Sequence, residues 1–271
     1  MQNLKILLTG DYWHSDFQRL IGAAAVPITL QPLPHILAGS NRQSSDYGAV
    51  IIAQSRRGQF ESEQLEQLIS QFVNTPVIAL CGSWCEGEPR SGTPVAGLVR
   101  VYWHSWLGQF DHFVAELKKQ KIATWQLPKI ASAADRIMHQ SQNGVVGDLN
   151  SSAMVGISTH TRDHYLMMRD ALTTSNYNSC WIEGLDENDI QQASLDAICI
   201  EGNSLNPAMQ ERIVELQRNF PLVPMALVLN FPRSLEFSLA RRMGISEIIS
   251  KPFQLCDLNF AIERLRSTAA A

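Results

Sequence analysis

Two stretches near the end of the chain decide the fold: "DAICIEGNSLNP" (residues 196–207) and "PMALVLNFPRSLEFSLARRMGISEIISKPF" (residues 224–253). The apolar runs Ala197–Ile200 and Met225–Leu229 have the length of buried strands. The first ends on an acid, Glu201, and the second runs into Asn230. An amphipathic helix follows, Gly244 closes it, and a third short strand, Glu247–Ile249, delivers Lys251-Pro252-Phe253. Strand, helix, strand, with polar residues gathered at the strands' carboxyl ends, is the pattern of an open parallel sheet. Ligands and switches on such sheets sit at that edge.

This stretch resembles a response-regulator receiver domain, a CheY-like fold, and the resemblance covers residues 153–268. In that family an Asp at the end of the third strand takes a phosphoryl group from a histidine kinase. Two acids after strand one hold Mg²⁺, a Ser/Thr ends strand four, and a Lys-Pro ends strand five. Lys251-Pro252 matches, Gly244 stands at the expected distance before it, and Asp196 is the acid that opens strand three. The resemblance puts Glu201 in the phosphoacceptor position.

The departures are as telling. Strand one reads "AMVGISTHTRDHY", so Thr159 and His160 replace the acid pair. The hydroxyl position falls on Leu229 or Asn230, and the strand-five aromatic is Ile248. Mg²⁺ needs hard oxygen ligands in near-octahedral array, which Thr and His do not supply. Without metal, and with a carboxylate one methylene longer, phosphoryl transfer loses charge neutralisation and positioning. The sequence thus reads as a pseudo-receiver whose degenerate site is Glu201, Lys251, Thr159, His160 and Asn230. A Glu201–Lys251 pair would imitate the charge of a phosphorylated Asp and lock one conformation. The competing reading is an ordinary charge at a sheet edge, and burial of such a pair is weak evidence for stability.

Composition bounds the rest. A length of 271 residues favours two domains, and 45% hydrophobic residues suffice for two cores. A net charge of −4 argues against a dedicated nucleic-acid binder. With the ending "LRSTAAA", a helix-turn-helix output domain is not expected. Five cysteines in apolar or loop contexts suggest a reducing compartment. The opening "MQNLKILLTGDYW" lacks a signal peptide, and no run approaches a membrane span. The expectation is a soluble, cytoplasmic protein that engages neither nucleic acid nor membrane and needs no cofactor or metal. Its protein partner is unknown, and a homodimer stays open.

The first half repeats the pattern. Strands are expected at 4–9, 26–34, 47–55, after Pro76 and over "GLVRVYWHSW", with helices at 61–74 and 110–120. A proline-broken loop is expected after the second strand. The predicted architecture is therefore α/β: two tandem flavodoxin-like (CheY-like) three-layer domains with parallel five-stranded sheets, spanning 1–120 and 153–271. Residues 121–152 form the linker, with a short helix at 131–140, a boundary near residue 148 and Trp125 packed on a domain. Asp11 stands where an acid after strand one would be, but Ala53-Gln54-Ser55 end the third strand and no Lys-Pro follows the fifth. A shared topology does not carry a shared function.

Unusual residues of the first half fall at strand carboxyl ends. They are Asp11, Trp13 and His14; Gln54, Ser55, Arg56 and Arg57; Cys81, Trp84, Cys85, Glu86, Glu88 and Arg90; and Trp103, His104 and Trp106. Four of the six tryptophans gather there, which suits a binding surface and equally suits a capped core. Cys81, Cys85 and His104 have zinc-ligand chemistry but need a fourth ligand from Glu86 or Glu88. A Cys85 nucleophile with a His104 base resembles in position the nucleophile turn of class I amidotransferase-like α/β hydrolases, without their Gly-x-Cys-x-Gly pattern. The glycines match no phosphate-binding fingerprint. In the second half, "THTRDHY" reads as a solvated helix start with Thr161 as N-cap, and Trp181 and Cys199 as core. The expected function is a non-catalytic signalling or scaffold protein, with residues 231–253 as its partner face. The alternative is a small-molecule-binding protein or Cys/His-dependent enzyme using the first domain's strand-end edge.

Overall fold

Apolar residues that alternate between two covered faces build each sheet of this computed structural model, which describes residues 5–22, 26–38, 47–86, 95–119, 121–143, 153–186, 189 and 194–269. The chain divides into two units, Met1–Gln140 and Ser141–Ala271. Each contains a five-stranded sheet whose strand pairings are all parallel.

In the first unit the chain runs β1 (Ile6–Gly10), α1 (Ser15–Gly22), β2 (Ile28–Leu30), α2 (Leu33–Leu37), β3 (Ala49–Arg56), α3 (Ser62–Gln71), β4 (Val77–Trp84), β5 (Leu98–Tyr102), α4 (Trp106–Lys118) and α5 (Ala133–Asn143). The sheet order is β2-β1-β3-β4-β5. Val50 and Ile52 of β3 join Leu7 and Ala79 on one face, under Leu33 and Ile36 of α2 and Leu65, Leu68 and Ile69 of α3. Ile51, Ile78 and Leu80 point the other way and are equally buried, as are Phe17 of α1 and Phe110 and Phe113 of α4. At Gly10, φ is +85° and a Cβ would lie 2.4 Å from the Ala53 carbonyl oxygen, so only glycine fits where β1 meets β3.

Two local expectations for this unit need correction. The proline-rich stretch after β2 is a short helix, α2, because Pro32 caps it in extended conformation and Pro34 lies in its first turn, where no amide partner is lost. Helix α4 starts at Trp106, earlier than the expected Phe110. Trp106 stacks on Phe110 at 4.9 Å and on Trp125 at 5.6 Å, and Trp125 in turn stacks on Phe113 at 4.7 Å. Trp125 sits in a 3-10 turn, Thr124–Gln126, and is buried in this unit.

In the second unit β6 (Met154–Ser158), α6 (Arg162–Thr173), β7 (Asn178–Trp181), β8 (Ala197–Glu201), α7 (Pro207–Asn219), β9 (Met225–Asn230), α8 (Ser234–Arg242), β10 (Glu247–Lys251) and α9 (Leu255–Ala269) follow in order. The sheet order is β10-β9-β8-β6-β7, the same crossover pattern as in the first unit. Ala197 and Cys199 of β8 face Met168 and Leu172 of α6 and Leu258, Ile262 and Leu265 of α9. Ile198 and Ile200 face Met209, Ile213 and Leu216 of α7 and Ala240 of α8. Three layers result, with the strands' carboxyl ends gathered at one edge. Cys199 is fully buried as expected, whereas Trp181 at the end of edge strand β7 is only half-buried. Among the described residues, no helix is long and apolar enough to cross a membrane.

Candidate functional site

The carboxyl edge of the second sheet is built around Glu201, the last residue of β8. Its carboxylate is buried, and Lys251 Nζ, from the end of β10, donates to Oε1. On the other side His164 Nδ1 lies 3.1 Å from Oε2. Helix α6 aims that imidazole: Thr161 is its N-cap, and the Thr161 hydroxyl accepts from the His164 amide at 3.3 Å. Burial pushes the Glu201 carboxyl up, but the hydrogen bonds and charges of Lys251 and then His164 outweigh it, holding the group below its usual range.

A second charge network stands at the end of β6. Glu183, in the 3-10 turn Ile182–Gly184 after β7, accepts from Ser158 Oγ at 2.7 Å and from the Thr159 amide at 3.0 Å. Arg212, on α7, donates to the same carboxylate and lies 3.3 Å from His160 Nε2. Thr159 Oγ1 donates to the Thr161 carbonyl at 2.9 Å. Beyond Glu201, Asn230 Nδ2 donates to Asn203 Oδ1 at 3.1 Å. The Lys251–Pro252 peptide is cis.

Mg²⁺ does not fit this donor set. Each carboxylate already faces a cation, Lys251 for Glu201 and Arg212 for Glu183. Thr159 and His160 offer a neutral hydroxyl and a ring nitrogen, where the ion favours carboxylate oxygens. Of the five residues expected at the degenerate site, the structure joins Lys251 directly to Glu201. Thr159 and His160 belong to the neighbouring Glu183–Arg212 network, and Asn230 pairs with Asn203.

Sequence reasoning missed His164, Glu183 and Arg212. The Thr161 cap, as expected, places His160 before the helix and His164 in its first turn, where the imidazole reaches Glu201. Glu183 and Arg212 carry no motif; the order of strands brings Glu183 beside β6.

The first unit's edge holds a different set. Asp11 Oδ2 accepts from Ser55 Oγ at 2.6 Å, and the Ser55 amide donates to Gln59 Oε1 at 2.8 Å. Asp16, buried on α1 and unremarked in the sequence, accepts from the Ser83 amide at 2.9 Å and lies 3.6 Å from His14 Nδ1. Trp13 and Trp84 are 69% and 68% exposed, Arg56 is exposed and in register with Trp84, and Glu86 is half-buried. Glu88 and Arg90 lie outside the described residues.

Two members of the expected surface turn inward: Cys85 and Trp103 are buried. The Cys85 thiol donates to the Gln54 carbonyl at 3.2 Å, while His104 stacks on Tyr102 at 5.8 Å and pairs through Nδ1 with Ser105 Oγ at 3.1 Å. His104 and Cys85 thus each bond elsewhere, the thiol to the β3 end and the imidazole to Ser105. Burial lowers the His104 imidazole to about 4. Among the described residues, no group of three or more His, Cys, Asp or Glu side chains is placed to hold a metal ion.

The class defined by both sheets is the tandem flavodoxin-like α/β protein with parallel five-stranded sheets. No protein-family model and no curated protein matches the chain. Among solved structures, it is similar to a pilus assembly-related protein of Burkholderia pseudomallei, at 18% identity over 43% of this chain and 90% of that one, TM-score 0.37. A second, described as a two-component system response regulator/GGDEF domain protein, shows 12% identity over 99% of this chain and all of that one, TM-score 0.36. A third is the RcsC C-terminus of E. coli, containing linker region and phosphoreceiver domain, at 15% identity over 100% and 97% of the two chains, TM-score 0.34.

Proposed function

We propose that this chain is a non-catalytic signalling or scaffold protein whose second unit is a pseudo-receiver that works by recognising a protein partner. One observation carries the reading: the Glu201 carboxylate stands where the resemblance puts a phosphoacceptor, already engaged by Lys251 and His164. A negative charge one methylene further out than an Asp would hold it is thereby paired with Lys251 at all times, and the residues for gathering Mg²⁺ are replaced by Thr159, His160 and the Glu183–Arg212 pair. Recognition then falls to the face that follows β9. Phe231 and Leu235 there are 52% and 81% exposed, apolar area of the kind that interface cores use.

A Mg²⁺ titration of the full chain, followed by amide chemical shifts, tests the reading. The expected result is no saturable shift at Thr159, Glu201 or Lys251 up to millimolar ion at constant ionic strength. Saturable shifts confined to those strand ends would overturn it.

A further inference from the structure

At the opposite edge of the first sheet, where β4 and β5 begin, lies a cavity of about 240 Å³ lined by Val73, Asn74, Trp125, Leu127, Lys129 and Arg136, among others. Two cations share its wall. Lys129 Nζ donates to the Phe72 carbonyl at 2.9 Å and to the Ile69 carbonyl, both at the carboxyl end of α3. Arg136 donates to the Thr124 carbonyl at 2.9 Å and to the Pro128 carbonyl at 3.4 Å. Every one of these acceptors is a main-chain carbonyl. Asp135, the sequence neighbour, is turned to the Ser132 amide and hydroxyl, each at 2.8 Å. Neither cation has a carboxylate within ion-pair distance among the described residues.

Charge and donor capacity are both left over. An ammonium carries three N–H donors and a guanidinium five, so one and three respectively have no protein acceptor among the described residues. Both groups are half-buried, and burial lowers the basicity of each. The wall also holds them in place. Gly97, at φ +80°, lets the Lys129 stem pass so closely that a Cβ there would lie 3.0 Å from Lys129 Cβ. Trp125, stacked into the core, fixes the turn that supplies the Thr124 carbonyl.

We infer that this cavity binds a small oxyanion, with Lys129 supplying a point charge and Arg136 a planar fork. A carboxylate or phosphate accepts two N–H groups from one guanidinium, and such charge-assisted bonds are the strong ones. The volume falls below the roughly 300 Å³ at which drug-sized sites begin, so the ligand is a compact anion and not a nucleotide or a peptide. This inference concerns the first unit alone and does not rest on the pseudo-receiver reading.

Isothermal titration of the full chain with inorganic phosphate and, separately, with citrate, against sodium chloride at equal ionic strength, tests it. The expected result is one-to-one saturable binding of at least one probe, with a dissociation constant at or below about 1 mM. Preference for phosphate identifies a phosphoryl ligand, and preference for citrate a carboxylate ligand. Arg136→Gln should weaken binding at least tenfold with the unfolding midpoint checked in parallel. If that variant does not fold, Arg136→Lys, which keeps the charge but loses the fork, should bind severalfold more weakly than wild type. No saturable heat with either probe, or a folded Arg136 variant that binds as wild type does, would overturn the assignment.

Discussion

Glu201 is the residue on which charge and position meet. Its folded carboxyl is held below the ordinary value of 4.5, because Lys251 and His164 outweigh the cost of burial. A depressed carboxyl contributes stability that is complete above its unfolded value and disappears as the pH falls through the folded one. Glu201→Gln should therefore lower stability by about 2 kcal/mol at neutral pH, the worth of a charged hydrogen bond, and the difference from wild type should shrink in acid. Urea unfolding between pH 7 and pH 3 checks this. His104 gives the companion case in the first unit. Burial lowers its imidazole from 6.5 to about 4, so between those values the unfolded chain binds more protons than the folded one. Stability should rise with pH across that window by on the order of 3 kcal/mol, and His104→Gln should flatten the rise. The place of Glu201 and its reach to Lys251 were legible in the sequence, since both stand at strand ends fixed by short apolar runs. The Thr161 cap was legible too, but His164 stayed hidden because only the fold brings the first turn of α6 to the end of β8. Arg212 and Glu183 were hidden because only the fold brings an α7 side chain to the end of β6.

Among the elements, α6 shows how a local cap positions a functional group. Thr161→Ala should cost about 1 kcal/mol by removing the acceptor for the His164 amide. The same change should loosen the His164–Glu201 contact, visible as a shift of the His164 ring resonances, while Asp163→Asn, beside it in the first turn, should leave them nearly unmoved. Strands and long helices were legible because their apolar periods are unmistakable. The short α2 was not, because Pro32 and Pro34 signal a broken chain unless one asks which amides the first turn leaves unpaired anyway. The start of α4 was misplaced for a related reason. Trp106 looks like the tail of an aromatic strand, and its stacking on Phe110 and Trp125 is a tertiary fact.

At the scale of the molecule, two α/β units each bury their own sheet between two helical layers. Ile213, fully buried under β8 and β9, should cost roughly 2–5 kcal/mol as Ile213→Ala. Hydrogen exchange should then show the loss in β6, β8 and β9 and leave β1, β3 and β4 protected as before. Parallel topology was readable from alternating apolar runs and helical stretches, and the edge where side chains gather followed from it. What the edge does chemically was not, because side chains from distant segments decide which carboxylate is neutralised and by what. The most direct test of the pseudo-receiver reading treats the full chain with acetyl phosphate and Mg²⁺ and reads intact mass and peptide maps. The account predicts no hydroxylamine-labile phosphoryl adduct on residues 153–268. A stoichiometric acyl-phosphate adduct at Glu201 would contradict it.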